Sequence, residues 1–162
     1  MEFITITGHR EFKIKKYCWK DLTNFKEELE KIILHFFNKE NTIFKIGWCD
    51  GFDNIVWELL IKNNFKFILA IPLKDIEGRD YRSLKEKELF NKIKEQSQSV
   101  VVINWGYLKR DEFLAENTQK LLSFCKEENS WTSKTINMFL KNNYHKVLKK
   151  QLLWTFKFTY IF

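Results

Sequence analysis

The chain has 162 residues, of which 44% are hydrophobic and 30% are charged, and its formal net charge at pH 7 is +7. This length and composition favour one compact globular domain and exclude a chain too polar to bury a core. There is no run of about 18 apolar residues, and the N-terminal residues MEFITITGHREF lack the apolar stretch of a signal peptide, so we expect a cytoplasmic protein with no membrane partner.

The cysteine and histidine spacings predict neither a metal site nor a disulfide framework. Cys18, Cys49 and Cys125 are far apart and form no CxxC pair, so three reduced thiols are the expected state. The histidines also lack the spacing of metal ligands. We therefore predict no metal and no cofactor.

The positive charge is concentrated near the C-terminus. Residues 126–162 hold seven Lys and two Glu, whereas residues 1–125 carry 21 basic and 19 acidic side chains. A surface for nucleic acid is typically basic along one face of the fold. Nucleic acid is therefore not the favoured partner, although a local basic patch is compatible with the sequence.

Hydrophobic periodicity predicts strands that alternate with helices over residues 1–125. In chain order it predicts a strand at 3–6, a helix at 19–36, a strand at 43–46, a helix at 53–60, a strand at 65–71, a helix at 81–93, a strand at 100–103 and a helix at 113–122. The strand at 100–103 (VVVI) is expected to be buried on both faces. This alternation indicates βαβ units. We therefore predict an α/β fold, a three-layer sandwich whose mainly parallel sheet has at least four strands.

Residues 126–162 are predicted to form a basic, aromatic C-terminal extension of the domain at residues 1–125. Apolar residues from Ile136 to Leu148 suggest a helix, and aromatic residues at every second position over 154–162 suggest a terminal strand. The sequence leaves open how this helix and strand pack, and whether the segment is a native, divergent or truncated end of the domain. The oligomeric state is also open, a homodimer included.

The loop after the first predicted strand carries residue types suited to phosphate. In a parallel sheet, ligands bind beyond the carboxyl ends of the strands. Gly8 allows a close approach of the backbone, and Arg10 supplies a planar, permanently charged fork that matches phosphate oxygens. His9 can donate a hydrogen bond, or a proton near neutral pH. This loop is one half of a candidate phosphate site.

The loop after the second predicted strand has a similar character. Gly47 and Gly51 lie four residues apart and lead into a helix, whose N-terminal N–H groups favour anions. Asp53 either caps this helix or accepts a hydrogen bond from a ribose hydroxyl. We predict that the two loops converge on one negatively charged group. The alternative is that the glycines only form turns and that the polar side chains have no ligand.

The order of these segments resembles the SLOG superfamily, more narrowly its YpsA/YoqJ-like branch, which is related to DprA/Smf DNA-processing proteins and to LOG-type nucleotide hydrolases. The resemblance covers about residues 1–125 and rests on ITGHR (6–10), IGWCDGFDNIVWELL (46–60), FILAIP (67–72) and VVVIN (100–104). It implies a Rossmann-like fold and a nucleotide or nucleotide-derived ligand. Relatives have an Arg-Asn pair where this chain has Glu116-Asn117, so the resemblance adds Asn117 to the candidate site. The Pro-Gly-Gly-x-Gly-Thr catalytic motif of LOG-type hydrolases is not found.

We therefore predict that the chain binds a nucleotide-like small molecule through its phosphate, for sensing or sequestration. The predicted ligand-binding residues are Gly8, His9, Arg10, Gly47, Gly51, Asp53 and Asn117. Two alternatives stay open. One is an N-glycoside hydrolase that acts on nucleotides with a carboxylate from Asp50, Asp53 or Glu58. The other is a single-stranded DNA-binding protein of DprA-like type. The sequence does not decide whether the chain is an enzyme, and it assigns no catalytic residue.

Overall fold

A seven-stranded sheet organises the chain, which a computed structural model describes over residues 1–18, 20–72, 84–103, 106–145 and 148–162. The strands are β1 (Glu2–Gly8), β2 (Thr42–Gly47), β3 (Lys66–Pro72), β4 (Ser99–Ile103), β5 (Lys120–Phe124), β6 (Lys150–Leu153) and β7 (Phe158–Ile161). The helices in the described residues are α1 (Glu11–Cys18), α2 (Leu22–Phe36), α3 (Phe52–Lys62), α4 (Leu84–Gln96), α5 (Tyr107–Ala115) and α6 (Trp131–Asn142).

The strand order is β4-β3-β2-β1-β5-β7-β6, with β1 to β5 parallel and β7 antiparallel to both β5 and β6. The chain steps outward from β1 to β4 and then crosses to the other side of β1, where it forms β5. The strand order therefore reverses between β1 and β5, which is the place where ligands bind in open α/β sheets.

Helices cover both faces of the sheet. Ile4 and Ile6 of β1 belong to the same buried cluster as Phe25 of α2 and residues of α3. Thr5, between them, donates from Oγ1 to the carbonyl of Leu114 in α5 at 2.6 Å. Because successive strand residues point to opposite faces, α2 and α3 lie on one side and α5 on the other. The protein is thus a Rossmann-like α/β three-layer sandwich with a mainly parallel sheet, as the sequence predicts.

Packing on the α2 and α3 face is dominated by aromatic rings. Phe25 of α2 lies 5.0 Å from Phe124 of β5, 5.3 Å from Phe156 and 4.9 Å from Phe158 of β7, measured between ring centroids. Edge-to-face and tilted pairs of this kind add to the free energy of burial. The rings connect the C-terminal residues to the core of the first half of the chain.

The predicted helix at 19–36 is wrong in extent, because two helices occupy this region. α1 ends at Cys18 and α2 begins at Leu22, while residue 19 lies outside the described residues. The buried apolar residues of α1 are Ile14 and Cys18, set among lysines and glutamate. So short an apolar stripe gives a weak periodic signal.

β4 is an edge strand, so the prediction that it is buried on both faces is wrong. β4 pairs with β3 and stands at the end of the sheet order. Val102 is 46% exposed. A run of β-branched residues identifies a strand, but its position in the sheet depends on long-range pairing.

The helix predicted at 113–122 is also wrong at its end. α5 ends at Ala115, and Leu121 and Leu122 belong to β5, where they face opposite sides of the sheet. The predicted helix at 81–93 falls partly on residues 73–83, which lie outside the described residues, and α4 begins at Leu84.

The C-terminal residues join the main sheet. α6 covers residues 131–142 rather than 136–148, and the predicted terminal strand is a hairpin of β6 and β7. β7 pairs with β5, so that Tyr160 lies opposite Leu122. Glu28 of α2 accepts hydrogen bonds from the backbone nitrogens of Thr155 and Phe156 in the hairpin turn, both at 2.9 Å. Among the described residues, no helix has the length and apolar character required to cross a bilayer.

Candidate functional site

The loops that follow β1 and β2 are in direct contact. Gly51 has φ +95°, and a Cβ added there would lie 2.4 Å from the backbone nitrogen of Glu11 and 2.5 Å from the carbonyl carbon of Arg10. The backbone N–H of Phe52 donates to the carbonyl of His9 at 3.0 Å. Only glycine combines this backbone conformation with so close an approach. The two loops therefore meet, as the sequence predicts, while their binding of a negatively charged group stays a prediction.

Arg10 connects the starts of two helices. Its backbone packs against Gly51 at the start of α3, and its guanidinium carbon lies 5.5 Å from the ring centroid of Tyr107, the first residue of α5. Burial lowers the pKa of Arg10, but Cys49, Tyr107 and Asp50 outweigh that effect, so the net shift is upward. The side chain is exposed and remains charged at any physiological pH.

Two of the helices that begin at this edge, α3 and α5, have the same kind of N-cap. Gly51 and Gly106 are the N-cap residues of α3 and α5, with φ of +95° and +92°, and in neither described cap does a side chain accept a hydrogen bond from the helix. In α6, by contrast, Ser130 Oγ accepts from the nitrogen of Ser133 at 3.2 Å. The first N–H groups of a helix carry partial positive charge and favour an anion.

Arg110, a buried residue of α5, is not among the site residues that the sequence predicts. Its Nε and Nη2 both donate to Oδ1 of Asp111, at 2.9 and 2.7 Å, and its Nη1 lies 3.0 Å from Sγ of Cys49. Arg110 is 8% exposed and Asp111 is 2% exposed. Arg110 is one of only four arginines, against 24 lysines, and that contrast is the one sequence signal that could have identified it.

Asp53 lies in the first turn of α3, where its Oδ2 accepts a hydrogen bond from the backbone nitrogen of Cys49 at 3.2 Å. It does not cap the helix, because Gly51 occupies the N-cap position. Burial raises the pKa of Asp53 to about 6, although the nearby Arg110 opposes the shift. Burial likewise raises the pKa of the Cys49 thiol. A carboxyl group with such a pKa can exchange a proton near neutral pH.

His9 is buried at the end of β1, where its side chain connects β1 to the segment that follows β5. Its Nε2 accepts a hydrogen bond from the backbone nitrogen of Lys126 at 2.7 Å, and its Nδ1 lies 3.4 Å from Oγ1 of Thr132 in α6. Burial, aided by the charge of Lys13, lowers the pKa of His9 to about 4. The imidazole is therefore neutral at pH 7, and both of its nitrogens have protein partners. The sequence suggests that His9 can donate a proton near neutral pH, and the buried, neutral imidazole does not fit that role.

Gly8 and Gly47 both lie at the carboxyl edge, but each faces protein atoms. A Cβ on Gly8 would lie 2.2 Å from the ring of Phe52, and a Cβ on Gly47 would lie 3.0 Å from Oδ2 of Asp53 and 3.1 Å from Nη1 of Arg110. Both glycines therefore make room for side chains of this edge.

Asn117 lies apart from the other candidate residues, which corrects the expectation that it extends the site. It is exposed, with φ of 52°, and precedes Gln119, whose backbone nitrogen donates to the carbonyl of Phe3 near the start of β1. Phe3 and Gly8 are five residues apart along a strand, roughly 16 Å. Asn117 therefore belongs to the amino edge of the sheet.

The carboxylates considered for hydrolysis also differ in position. Glu58 is exposed on α3, Asp50 is half-buried in the β2–α3 loop, and Asp53 is buried within the cluster of Cys49 and Arg110. Over the part of the chain that the structure describes, no group of three His, Cys, Asp or Glu side chains could hold a metal ion.

The fold and this edge define a class of protein, an α/β sandwich in which charged side chains gather where the parallel strands end. Comparison of the chain with protein-family models and with curated proteins finds no match. Assignment of a function therefore depends on the geometry of this edge.

Proposed function

We propose that the protein binds a nucleotide or a nucleotide-derived ligand through its phosphate at the carboxyl edge of the sheet, for sensing or sequestration. One observation carries the proposal. The exposed guanidinium of Arg10 lies against the Tyr107 ring at the N-terminus of α5, and the backbone of the same residue packs on Gly51 at the N-terminus of α3.

The chemistry of this arrangement suits a phosphate group. A guanidinium offers parallel N–H donors that match two phosphate oxygens, and each helix N-terminus adds partial positive charge. Only four of the 28 Lys and Arg residues are arginines, and two of these four, Arg10 and Arg110, lie close to Tyr107, at 5.5 and 5.2 Å from its ring centroid. A planar fork is better suited than an ammonium to a fixed oxyanion geometry.

Thermal unfolding with AMP, ADP-ribose and inorganic phosphate tests the proposal. A ligand at about 100 times its Kd adds about 2.7 kcal/mol of stability, which corresponds to an increase in Tm of roughly 5–10 °C for a chain of this size. We expect this increase with AMP or ADP-ribose, and its loss in Arg10→Gln.

A matched control changes the net charge equally. Lys62, at the C-terminal end of α3, pairs with Glu30 at 2.9 Å and lies at the other end of the helix from Gly51. Lys62→Gln should keep the full AMP response. If no phosphate compound raises Tm at millimolar concentration, or if both variants lose the response equally, the proposal is wrong.

A second candidate, hydrolysis of the N-glycosidic bond of a nucleoside monophosphate, is favoured by the environment of Asp53. Its buried carboxyl has a pKa raised to about 6, which suits a group that transfers a proton near neutral pH. Release of free base from AMP, followed by chromatography, tests this activity. It should be abolished in Asp53→Asn, and absence of any release by the unmodified protein would exclude it.

A further inference from the structure

We infer that Arg110 is a positioning residue, which holds the β2–α3 loop and Asp53 in place, whereas Arg10 alone contacts the phosphate. This inference rests on the proposed function for the role of Arg10. Arg10 and Arg110 lie against the same tyrosine ring, but they have different roles.

The donors of Arg110 are already directed at protein atoms. Nε and Nη2 donate to Oδ1 of Asp111, and Nη1 contacts Sγ of Cys49. Asp111 is itself buried, which raises the pKa of its carboxyl group, and Arg110 and Thr135 of α6 oppose that rise. The guanidinium is therefore fixed from α5 and α6 together and has little freedom to follow a ligand.

Gly47 has a specific purpose in this arrangement. A Cβ at this position would lie 3.1 Å from Nη1 and 3.4 Å from Cδ of Arg110. The guanidinium therefore crosses the end of β2 where a side chain would otherwise stand. Glycine at position 47 thus serves the approach of Arg110 rather than the approach of a ligand.

Arg110 is connected to Asp53 by Cys49 of the β2–α3 loop. Cys49 accepts the Nη1 contact at its thiol and donates its backbone N–H to Oδ2 of Asp53 at 3.2 Å. The same Asp53 oxygen lies 3.0 Å from the position of a Gly47 Cβ, next to Nη1 of Arg110. The groups that face Asp53 are thus Arg110, Cys49, Asp111 and, farther away, Arg10. Arg110 is the nearest positive charge and stabilises the ionised carboxylate.

Titration of the ¹³C-labelled Asp53 carboxyl by NMR tests the inference without any ligand. In Arg110→Gln the midpoint should move upward, because the main attractive charge is lost. Arg10→Gln should leave the midpoint nearly unchanged and abolish the AMP response. The two variants thus separate positioning from contact with the phosphate.

Gly47→Ala provides a second variant, in case Arg110→Gln does not fold with Asp111 left unpaired. The added methyl group keeps every charge but displaces the guanidinium, so the Asp53 midpoint and the Cys49 amide resonance should both shift. An unchanged midpoint in the folded Arg110 and Gly47 variants overturns the inference. A shifted midpoint with no AMP response in the unmodified protein contradicts only the proposed function.

Discussion

Gly8 lies against the ring of Phe52, so closely that a Cβ on Gly8 would stand 2.2 Å from the ring carbons. Phe52 is fully buried at the start of α3. This contact sets how near the first turn of α3 comes to the end of β1. It is the packing relationship on which the meeting of the two loops depends.

Gly8→Ala should therefore be strongly destabilising. Inserting a methyl group into a packed core costs about 1–3 kcal/mol, and here a buried aromatic ring must move to admit it. Urea unfolding followed by tryptophan fluorescence measures the loss. In a Phe52→Leu background the same substitution should cost less, because the ring is gone. An equal loss of stability in both backgrounds would contradict a steric clash between the added methyl group and Phe52.

His9 should make the protein less stable in acid. Its pKa in the folded protein is lowered to about 4 from 6.5, so between these values the unfolded chain binds a proton that the folded protein does not. Stability should therefore fall as pH drops from about 6.5 to about 4, by up to about 3 kcal/mol. His9→Gln should remove this slope, as measured by urea unfolding at a series of pH values.

Asp53 should have the opposite effect on the pH dependence of stability. Its pKa is raised in the folded protein from 3.8 to about 6, so stability should fall as pH rises through that range, because the folded protein must ionise a buried carboxyl. Asp53→Asn should be more stable than the unmodified protein at pH 7 by about 1–3 kcal/mol, and no more stable near pH 3.5. Asparagine can still accept the Cys49 N–H. A loss of stability at pH 7 would show that the carboxylate is better compensated than its burial indicates.

Glu28 should anchor the C-terminal hairpin. Its two carboxylate oxygens accept the backbone N–H groups of Thr155 and Phe156, both at 2.9 Å. Hydrogen bonds to a charged group contribute about 1.5–3 kcal/mol each, less where water competes. Glu28→Ala should accelerate amide hydrogen exchange in β7 relative to β2. Uniform acceleration of both strands would indicate global destabilisation instead.

The sequence predicts the first four strands of the fold more accurately than its helices. The β-branched and aromatic runs of β1 to β4 stand out locally, and their alternation with helices is enough to predict a parallel sheet. The sequence does not predict β5, because the adjacent Leu121 and Leu122 fit a helix face as well as a strand buried on both sides. Only the pairing of β5 with β1 and β7 resolves the choice.

In the candidate site, too, the sequence predicts the residues that have a local signal and not those placed by long-range contacts. Gly8 and Gly51 could be identified from their positions at strand ends, where a tight turn is needed. Arg110 lies in the middle of α5, in a stretch of sequence without a motif. Its contact with Cys49 joins residues 61 positions apart. Such a contact is created by the strand order and leaves no local signal.

The most direct test of the account is a ¹H–¹⁵N NMR titration of the labelled protein with AMP. We predict saturable shifts at the amides of Arg10, of Gly51 and Phe52, and of Gly106 and Tyr107, with little change at Asn117. Shifts confined to other parts of the chain, or none that saturate at millimolar AMP, would contradict binding at the carboxyl edge.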